Sequence, residues 1–280
     1  MSLELFAILL VGSLAAGALG SALGMAGGIF VVPLLTLVAH VPFPAAVAVS
    51  LVSVIACSCA SAPGFLAAGL TNLRLALVLE VFTALGALVG MLMIGLVPST
   101  MLFGIFAAVL LVSAIQMIAG RREPVVTDTG ASRHPRLDGV FRERDGLAVP
   151  YRVTRLSLGM TFMFGAGTLS ALLGIGSGVL KIPAMDAAMR LPIKVSSATA
   201  NLMIGVTACG AAAAYLLAGT LDLELAAPVV LGSLAGSLLG AQVLIRLAGP
   251  VLRVVFTVVL VALAIPMTAN AFDLGWGVVA

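Results

Sequence analysis

The chain has 280 residues, of which 62% are hydrophobic and only 9% are charged, and its formal net charge is +3. A soluble domain carries charged side chains at about a quarter of its positions, so this composition excludes a soluble protein and indicates an all-α polytopic membrane protein. The apolar runs are continuous and do not alternate with polar residues, which excludes a β-barrel.

The first apolar stretch is too long for one membrane crossing. It runs from Leu5 to His40, which would make a helix of about 54 Å, whereas the hydrocarbon core is about 30 Å thick. It therefore has to break, and Gly24, Gly27 and Gly28 mark the place. With this break, we predict helical segments at 4–23, 29–40, 45–69, 75–97 and 101–119, and then at 156–173, 179–190, 195–219, 223–247 and 251–271.

The two groups of five segments are related by a constant offset along the chain. At a shift of 150 residues, identical glycines, prolines and a cysteine meet: Gly24 and Gly174, Gly28 and Gly178, Pro33 and Pro183, Cys59 and Cys209. We therefore predict an N-terminal transmembrane repeat at 1–119, a charged cytoplasmic linker at 120–152 and a C-terminal transmembrane repeat at 153–280.

The distribution of basic residues predicts how the repeats cross the membrane. Eight of the fourteen Lys and Arg residues lie between Arg121 and Arg155, and positive charge in a short loop marks the cytoplasmic side. With this Arg-rich linker inside, Arg190 and Lys194 also fall inside when the halves are inverted. An odd number of segments per half favours the same arrangement. We predict inverted repeats with both termini outside, and no nucleic-acid binding by the basic cluster.

The two glycine breaks form the candidate substrate site. Discontinuous helices at matching positions of two halves are the best sequence pointer to the binding site of a transporter. Each short helix after a break starts with free N–H groups and a dipole that favour an anion. The alternative is that glycine only packs a kinked helix. The candidate ligands are Gly27 and Gly28 in the first break, Ser177 and Gly178 in the second, and Ser50 and Asn201 early in the following spans.

Three charged residues lie inside apolar segments. Lys181, three residues after Gly178, would add positive charge to the site, unless it snorkels to the cytoplasmic surface. Asp186 could pair with Arg190, four residues on, or could bind a coupling ion. Glu80 is either a proton-carrying carboxylate or half of a structural ion pair. Coupling to protons or sodium through Glu80 or Asp186 is therefore a further expectation.

No motif for catalysis or metal binding is present. The sequence contains no H-E-x-x-H, no Walker A motif and no nucleophile elbow, and its three cysteines lack the spacing of a zinc site. We expect no enzyme activity, no cofactor and no metal. The ladder Gly232, Gly236 and Gly240 suits close helix packing, which we place within one chain in preference to a homodimer.

The residues around both breaks resemble a known family. Gly24-Met-Ala-Gly-Gly28 followed by Pro33, and Gly174-Ile-Gly-Ser-Gly178 followed by Pro183, are similar to the duplicated glycine motif of the TauE/SafE family, also called TSUP transporters. The usual motif has three consecutive glycines, and Ala26 and Ser177 depart from it. The resemblance implies an exporter of sulfite or organosulfonates in a bacterial or archaeal cytoplasmic membrane.

Two other functions stay open on the sequence. One is the transport of another small solute, although a divalent cation would need converging carboxylates. The other is a membrane assembly or scaffold protein that docks a cytosolic partner on its Arg-rich linker.

Overall fold

The chain is almost entirely helical. A computed structural model describes residues 3–93, 96–119, 136–142, 147–174 and 177–271, and the predicted all-α class is confirmed. The helices are α1 (Leu3–Leu23), α2 (Gly28–Pro33), α3 (Phe43–Ala67), α4 (Leu73–Leu92), α5 (Ser99–Ala119), α6 (Leu156–Leu173), α7 (Gly178–Pro183), α8 (Ile193–Leu217), α9 (Leu223–Arg246) and α10 (Gly249–Ala271). Within the described residues, six of them (α1, α3, α4, α6, α8 and α9) are long and apolar enough to cross a membrane.

The two short helices end in a widened turn that the sequence did not predict. Both α2 and α7 stop at a proline, and the chain continues as π-helix at Leu34–Val38 and Ala184–Ala188. A proline has no N–H to donate and its ring crowds the preceding turn. A local π-turn accommodates both effects and allows the chain to reverse before the next span.

Each first helix packs on the fourth helix of the other half. Along α9, a Cβ added at Gly232, Gly236 or Gly240 would collide with the backbone of α1 at Leu10, Leu14 and Ala18 respectively. Gly86 and Gly90 of α4 approach α6 in the same way. These glycines let two helix backbones touch, so the predicted packing role of the ladder is confirmed, while a homodimer stays a prediction.

Helices α3 and α8 lie side by side in the centre. Asn201 Nδ2 of α8 donates to the Ser61 hydroxyl of α3. One turn later in α8, a Cβ on Gly205 would collide with the Ser58 side chain of α3. Residue numbers thus rise along α8 while they fall along α3. The first nine residues of α8 are all buried, so this helix begins inside the protein.

Part of the linker forms a β-hairpin, which the sequence did not predict. Strands β1 (Gly139–Arg142) and β2 (Ala148–Tyr151) pair antiparallel, while linker residues 120–135 and 143–146 lie outside the described part of the chain. Phe141 and Tyr151 are buried in the same core as the helices. The Tyr151 hydroxyl accepts from Asn72 Nδ2 at 3.1 Å, and burial raises the pKa of Tyr151. The hairpin therefore covers the end of the molecule where α3 meets α4.

The first break contains a backbone conformation that an alanine rarely adopts. Ala26 is fully buried and has φ +53°, between Gly24 at +78° and Gly27 at +80°. A left-handed conformation costs a residue with a Cβ roughly 1–2 kcal/mol. Glycine, which the family motif has here, avoids this cost.

We predict that Ala26→Gly lowers the free energy of unfolding by about 2 kcal/mol less than Ala22→Gly does. Both changes remove a buried methyl group. The first relieves a left-handed residue, whereas the second places glycine inside helix α1, at a cost of about 1 kcal/mol. Unfolding of the purified protein in mixed micelles measures the difference. Equal losses for the two variants would contradict the strain at Ala26.

Candidate functional site

The two breaks cross over between the halves. A Cβ on Gly24 would lie 2.5 Å from the Cβ of Ser197 in α8, and one on Gly174 would lie 2.6 Å from a methyl group of Val47 in α3. These two contacts are equivalent, because Gly24 and Val47 correspond to Gly174 and Ser197 at the offset of 150 residues. Each break thus packs against the first turns of the central helix of the opposite half.

The breaks also approach each other directly. A Cβ on Gly178 would lie 3.1 Å from the Cα of Met25, and the Ser50 hydroxyl lies 2.8 Å from the carbonyl oxygen of Gly174 and 3.3 Å from that of Gly28. Ser50, a predicted site residue, therefore sits between the breaks. The Ser50 hydroxyl proton points at these carbonyl groups, so Ser50 connects the two breaks.

Backbone donors at both breaks have no partner within the described ranges. Val31 N–H bonds to the Gly27 carbonyl and Lys181 N–H to the Ser177 carbonyl, which starts each short helix. No described residue accepts from the N–H groups that come before them: Gly27, Gly28 and Ile29 in the first break, Gly178 and Val179 in the second. A buried N–H without an acceptor is costly, so these groups are available for a bound ligand.

Unpaired side-chain oxygens lie in the second break and in α8, the helix that packs against the first break. Ser177, Ser196 and Ser197 have buried hydroxyls, and Asn201 a buried Oδ1, without a hydrogen-bond partner in the described part of the chain. The same holds for Ser21 at the end of α1. Ser177 and Asn201 were predicted as site residues, whereas Ser21, Ser196 and Ser197 were missed. The signal for the latter two was the polar run Ser196-Ser-Ala-Thr-Ala-Asn201, whose first-half counterpart Ala46–Leu51 has one hydroxyl, Ser50.

Two of the three predicted intramembrane charges, Lys181 and Glu80, form one ion pair. Lys181 Nζ is fully buried and lies 3.1 Å from Glu80 Oε2. It also donates to the Thr207 hydroxyl at 2.9 Å, and that hydroxyl donates to Glu80 Oε1. The three side chains, from α7, α4 and α8, close a ring of hydrogen bonds. Lys181 therefore does not snorkel to the surface, and its charge is neutralised by Glu80.

This triad, Glu80–Lys181–Thr207, spans both halves and has no charged equivalent at the positions related by the repeat. Shifting each member by 150 residues gives Val230, Val31 and Cys57. Val31 and Cys57 are fully buried, so the same architecture is packed there with apolar side chains and a thiol. The fold itself therefore does not require the charged triad.

Asp186 pairs with α10, and the expected pairing with Arg190 was wrong. Its Oδ1 lies 2.8 Å from Arg253 Nη2. The expectation assumed that the helix continues to Arg190, but the π-turn ends at Ala188 and Arg190 adopts φ +58°. No group of three His, Cys, Asp or Glu side chains within the described ranges could hold a metal ion.

Comparison with known proteins agrees with the architecture. The sequence profile of the sulfite exporter TauE/SafE family matches residues 8–267. The chain belongs to this family. It is also 27% identical over 224 residues to the "Probable membrane transporter protein YunE" of Bacillus subtilis (strain 168), a match that covers 76% of this chain and 79% of that protein. No solved structure matches the chain significantly. This TauE/SafE protein is thus a multi-pass membrane transporter, and the predicted resemblance is confirmed.

We predict that Gly24→Ala destabilises the protein much more than Gly69→Ala. Both glycines have positive φ, but a Cβ on Gly24 would collide with Ser197, whereas one on Gly69 meets nothing within 4 Å. Gly69→Ala should therefore lower the free energy of unfolding only by the cost of the left-handed conformation, about 1–2 kcal/mol. Thermal unfolding in detergent compares the two variants. Similar losses would show that the first break does not pack tightly against α8.

We predict that Lys181→Val alone is far more harmful than Lys181→Val combined with Glu80→Val. Removing one partner of a buried pair leaves an uncompensated charge and costs about 3–5 kcal/mol, whereas an apolar replacement of both is often neutral. The free energy of unfolding of the single and double variants tests this. A double variant as unstable as the single one would mean that the pair is required for folding.

Proposed function

We propose that this TauE/SafE transporter exports small sulfur-containing anions, such as sulfite or organosulfonates, and binds them between the two breaks. The observation that carries the proposal is the set of unpaired donors there. Five backbone N–H groups and the hydroxyls of Ser177, Ser196 and Ser197 are buried without acceptors in the described part of the chain. An oxyanion, with several acceptor oxygens and no proton to donate, is the ligand that such donors favour.

The charge of the site supports an anion over a cation. The carboxylate of Glu80 is engaged by Lys181 and Thr207, and that of Asp186 by Arg253. A divalent cation needs several converging oxygen ligands of negative charge. The predicted ligands Gly27, Gly28, Ser177 and Gly178 carry no charge and offer N–H or O–H donors, whereas the free atom of Asn201 is the acceptor Oδ1.

The proposed mechanism is alternating access, with the halves rocking around this site. The contacts between α3 and α8 support the predicted inversion of the halves. These equivalent helices run in opposite directions, since Asn201 meets Ser61 and Gly205 meets Ser58. A pseudo-twofold axis that relates antiparallel helices lies in the membrane plane, as in other inverted-repeat transporters. In addition, the central helix of each half, α3 or α8, packs against the break of the other half.

For the orientation, we propose a bacterial or archaeal cytoplasmic membrane with both termini outside. The hairpin β1–β2 and Arg74 would then face the cytoplasm, in agreement with the positive-inside rule. The hairpin would cover the cytoplasmic end of the site, because it bonds to Asn72 between α3 and α4. The residues that precede it, 120–135, lie outside the described part of the chain.

The test is uptake and efflux in proteoliposomes with sulfite, sulfate, sulfoacetate, taurine and thiosulfate. We expect saturable flux of at least one sulfur anion. Ser197→Ala and Ser177→Ala should weaken its apparent affinity about tenfold or more, because a hydrogen bond to a charged group contributes about 1.5–3 kcal/mol.

The control is Ser13→Ala, which removes a buried hydroxyl bonded to the Leu10 carbonyl in its own helix. It should leave the apparent affinity unchanged. If wild-type protein that is folded and inserted moves none of the five compounds, the sulfur-anion proposal is wrong. The flux of another solute, or a scaffold role, would then have to be tested.

A further inference from the structure

We propose that Lys181 exchanges Glu80 for the transported anion, and that each anion therefore crosses together with one proton carried by Glu80. This inference rests on the proposed function, because it concerns the same site. It assigns the coupling ion as a proton and gives the triad its role. In the unloaded state Lys181 is paired with Glu80, and in the loaded state it is paired with the anion.

The first argument is the position of the Lys181 side chain. Lys181 lies three residues after Gly178, in the last turn of α7. Its ammonium group bonds to Thr207 of α8, three residues from Ile204, and a Cβ on Gly178 would meet the Ile204 side chain. The ammonium group therefore lies close to the second break. The ammonium is fully buried, and its bonds go to Glu80 and Thr207. An anion at the break would compete with Glu80 for the same protons on Nζ.

The second argument is charge balance. The unloaded pair of ammonium and carboxylate has no net charge. If a univalent anion displaced the carboxylate, Glu80 would become an uncompensated charge inside the membrane, which is expensive. Binding of a proton to Glu80 restores neutrality: the anion pairs with Lys181, and Glu80 becomes a neutral acid. Both the loaded and the unloaded carrier can then cross between states without net charge. Export by this symport runs while the outward gradient of the anion exceeds the inward gradient of protons.

The surroundings of Glu80 allow it to take the proton. Its side chain keeps 11% of its surface accessible, whereas that of Lys181 keeps none. The proton comes from water on the side to which the site is open and forms an O–H bond on the carboxylate. Thr207, already bonded to Glu80, can accept from the neutral acid and donate to the Met203 carbonyl, 3.1 Å away. No other bond is made or broken.

No other charged group in the described helices competes for this role. Helix α6, packed against α4, carries no titratable residue. Helix α8 carries Lys194, Cys209 and Tyr215, but its contact with Glu80 is Thr207. Helix α7 contributes only Lys181. Asp186 and Arg253 form a separate pair.

The repeat argues against a purely structural triad. Val31, Val230 and Cys57 occupy the three positions that the repeat makes equivalent, and the chain packs those positions without an ion pair. An apolar replacement of a buried pair is often as stable as the pair. A charged triad at only one of the two equivalent places is therefore explained by a task that the apolar version cannot perform.

The experiment is gradient-driven accumulation in proteoliposomes that contain a pH-sensitive dye. The probe is methanesulfonate, a univalent anion whose charge does not change near neutral pH. We expect one proton per anion in the wild type. A tenfold proton gradient should then accumulate methanesulfonate about tenfold, because at equilibrium the free energy of the anion gradient balances that of the proton gradient. The membrane potential should have little effect, because the transported pair has no net charge.

Two variants separate coupling from folding. Glu80→Gln mimics the neutral acid, so anion flux should continue without proton movement, and the accumulation ratio should fall from about tenfold to one. Glu224→Gln makes the same change at an exposed carboxylate and should behave as wild type. The triple variant Lys181→Val, Glu80→Val and Thr207→Cys imports the residues of the equivalent positions, Val31, Val230 and Cys57. It should fold and lose saturable flux.

Each outcome decides a different statement. If the wild type moves no anion, the proposed function fails. If the wild type moves an anion without protons, or if Glu80→Gln still accumulates it along a proton gradient, the exchange fails and the proposed function stands. Saturable flux by the triple variant would also overturn the exchange. Should Glu80→Gln fail to fold, the proton count of the wild type and the flux of the triple variant decide the question.

Discussion

The structure depends on one constraint, which is that backbone N–H groups freed inside a membrane have to be covered by protein. Two helices break at matching glycines, and lipid cannot solvate the exposed donors. The protein solves this by crossing its halves, so that α8 covers the first break at Gly24 and α3 covers the second at Gly174. The glycine ladders on α4 and α9 are the second part of this solution, since they draw the flanking helices close enough to seal the site.

The differences between the halves are as informative as their similarity. The repeat supplies the scaffold twice, and among the described residues most of the buried polar side chains without a partner lie in the second copy. The start of α8 carries Ser196, Ser197 and Asn201, where α3 carries Ala46, Val47 and Leu51. The ion pair likewise occurs only once. A duplicated fold thus separates what packing requires, which is present in both halves, from what ligand chemistry requires, which is needed in one.

The elements could be predicted because their signals are local. Glycine, proline and the length of apolar runs set the helix bounds to within a few residues, except that α4 ends at Leu92 instead of near residue 97. The ion pair could not be predicted, since Lys181 and Glu80 are 101 residues apart and lie in different halves. Asp186 was paired wrongly because the rule for residues four apart holds only while the helix continues. The hairpin was missed because its short strands lie within a charged linker.

The two ion pairs make α7 unlike its counterpart α2. Lys181 joins α7 to α4 and α8, and Asp186, in the π-turn after it, joins the same segment to α10. The segment from Gly28 to Val38 contains no charged residue, and Thr36 bonds only within it, to Val32 and Pro33. Loss of the contact between Lys181 and Glu80 would therefore remove one of the two ion pairs that hold the α7 segment, whereas the α2 segment has no ion pair to lose. If Lys181 exchanges Glu80 for the anion as proposed, ligand binding would therefore loosen the second break and leave the first unchanged.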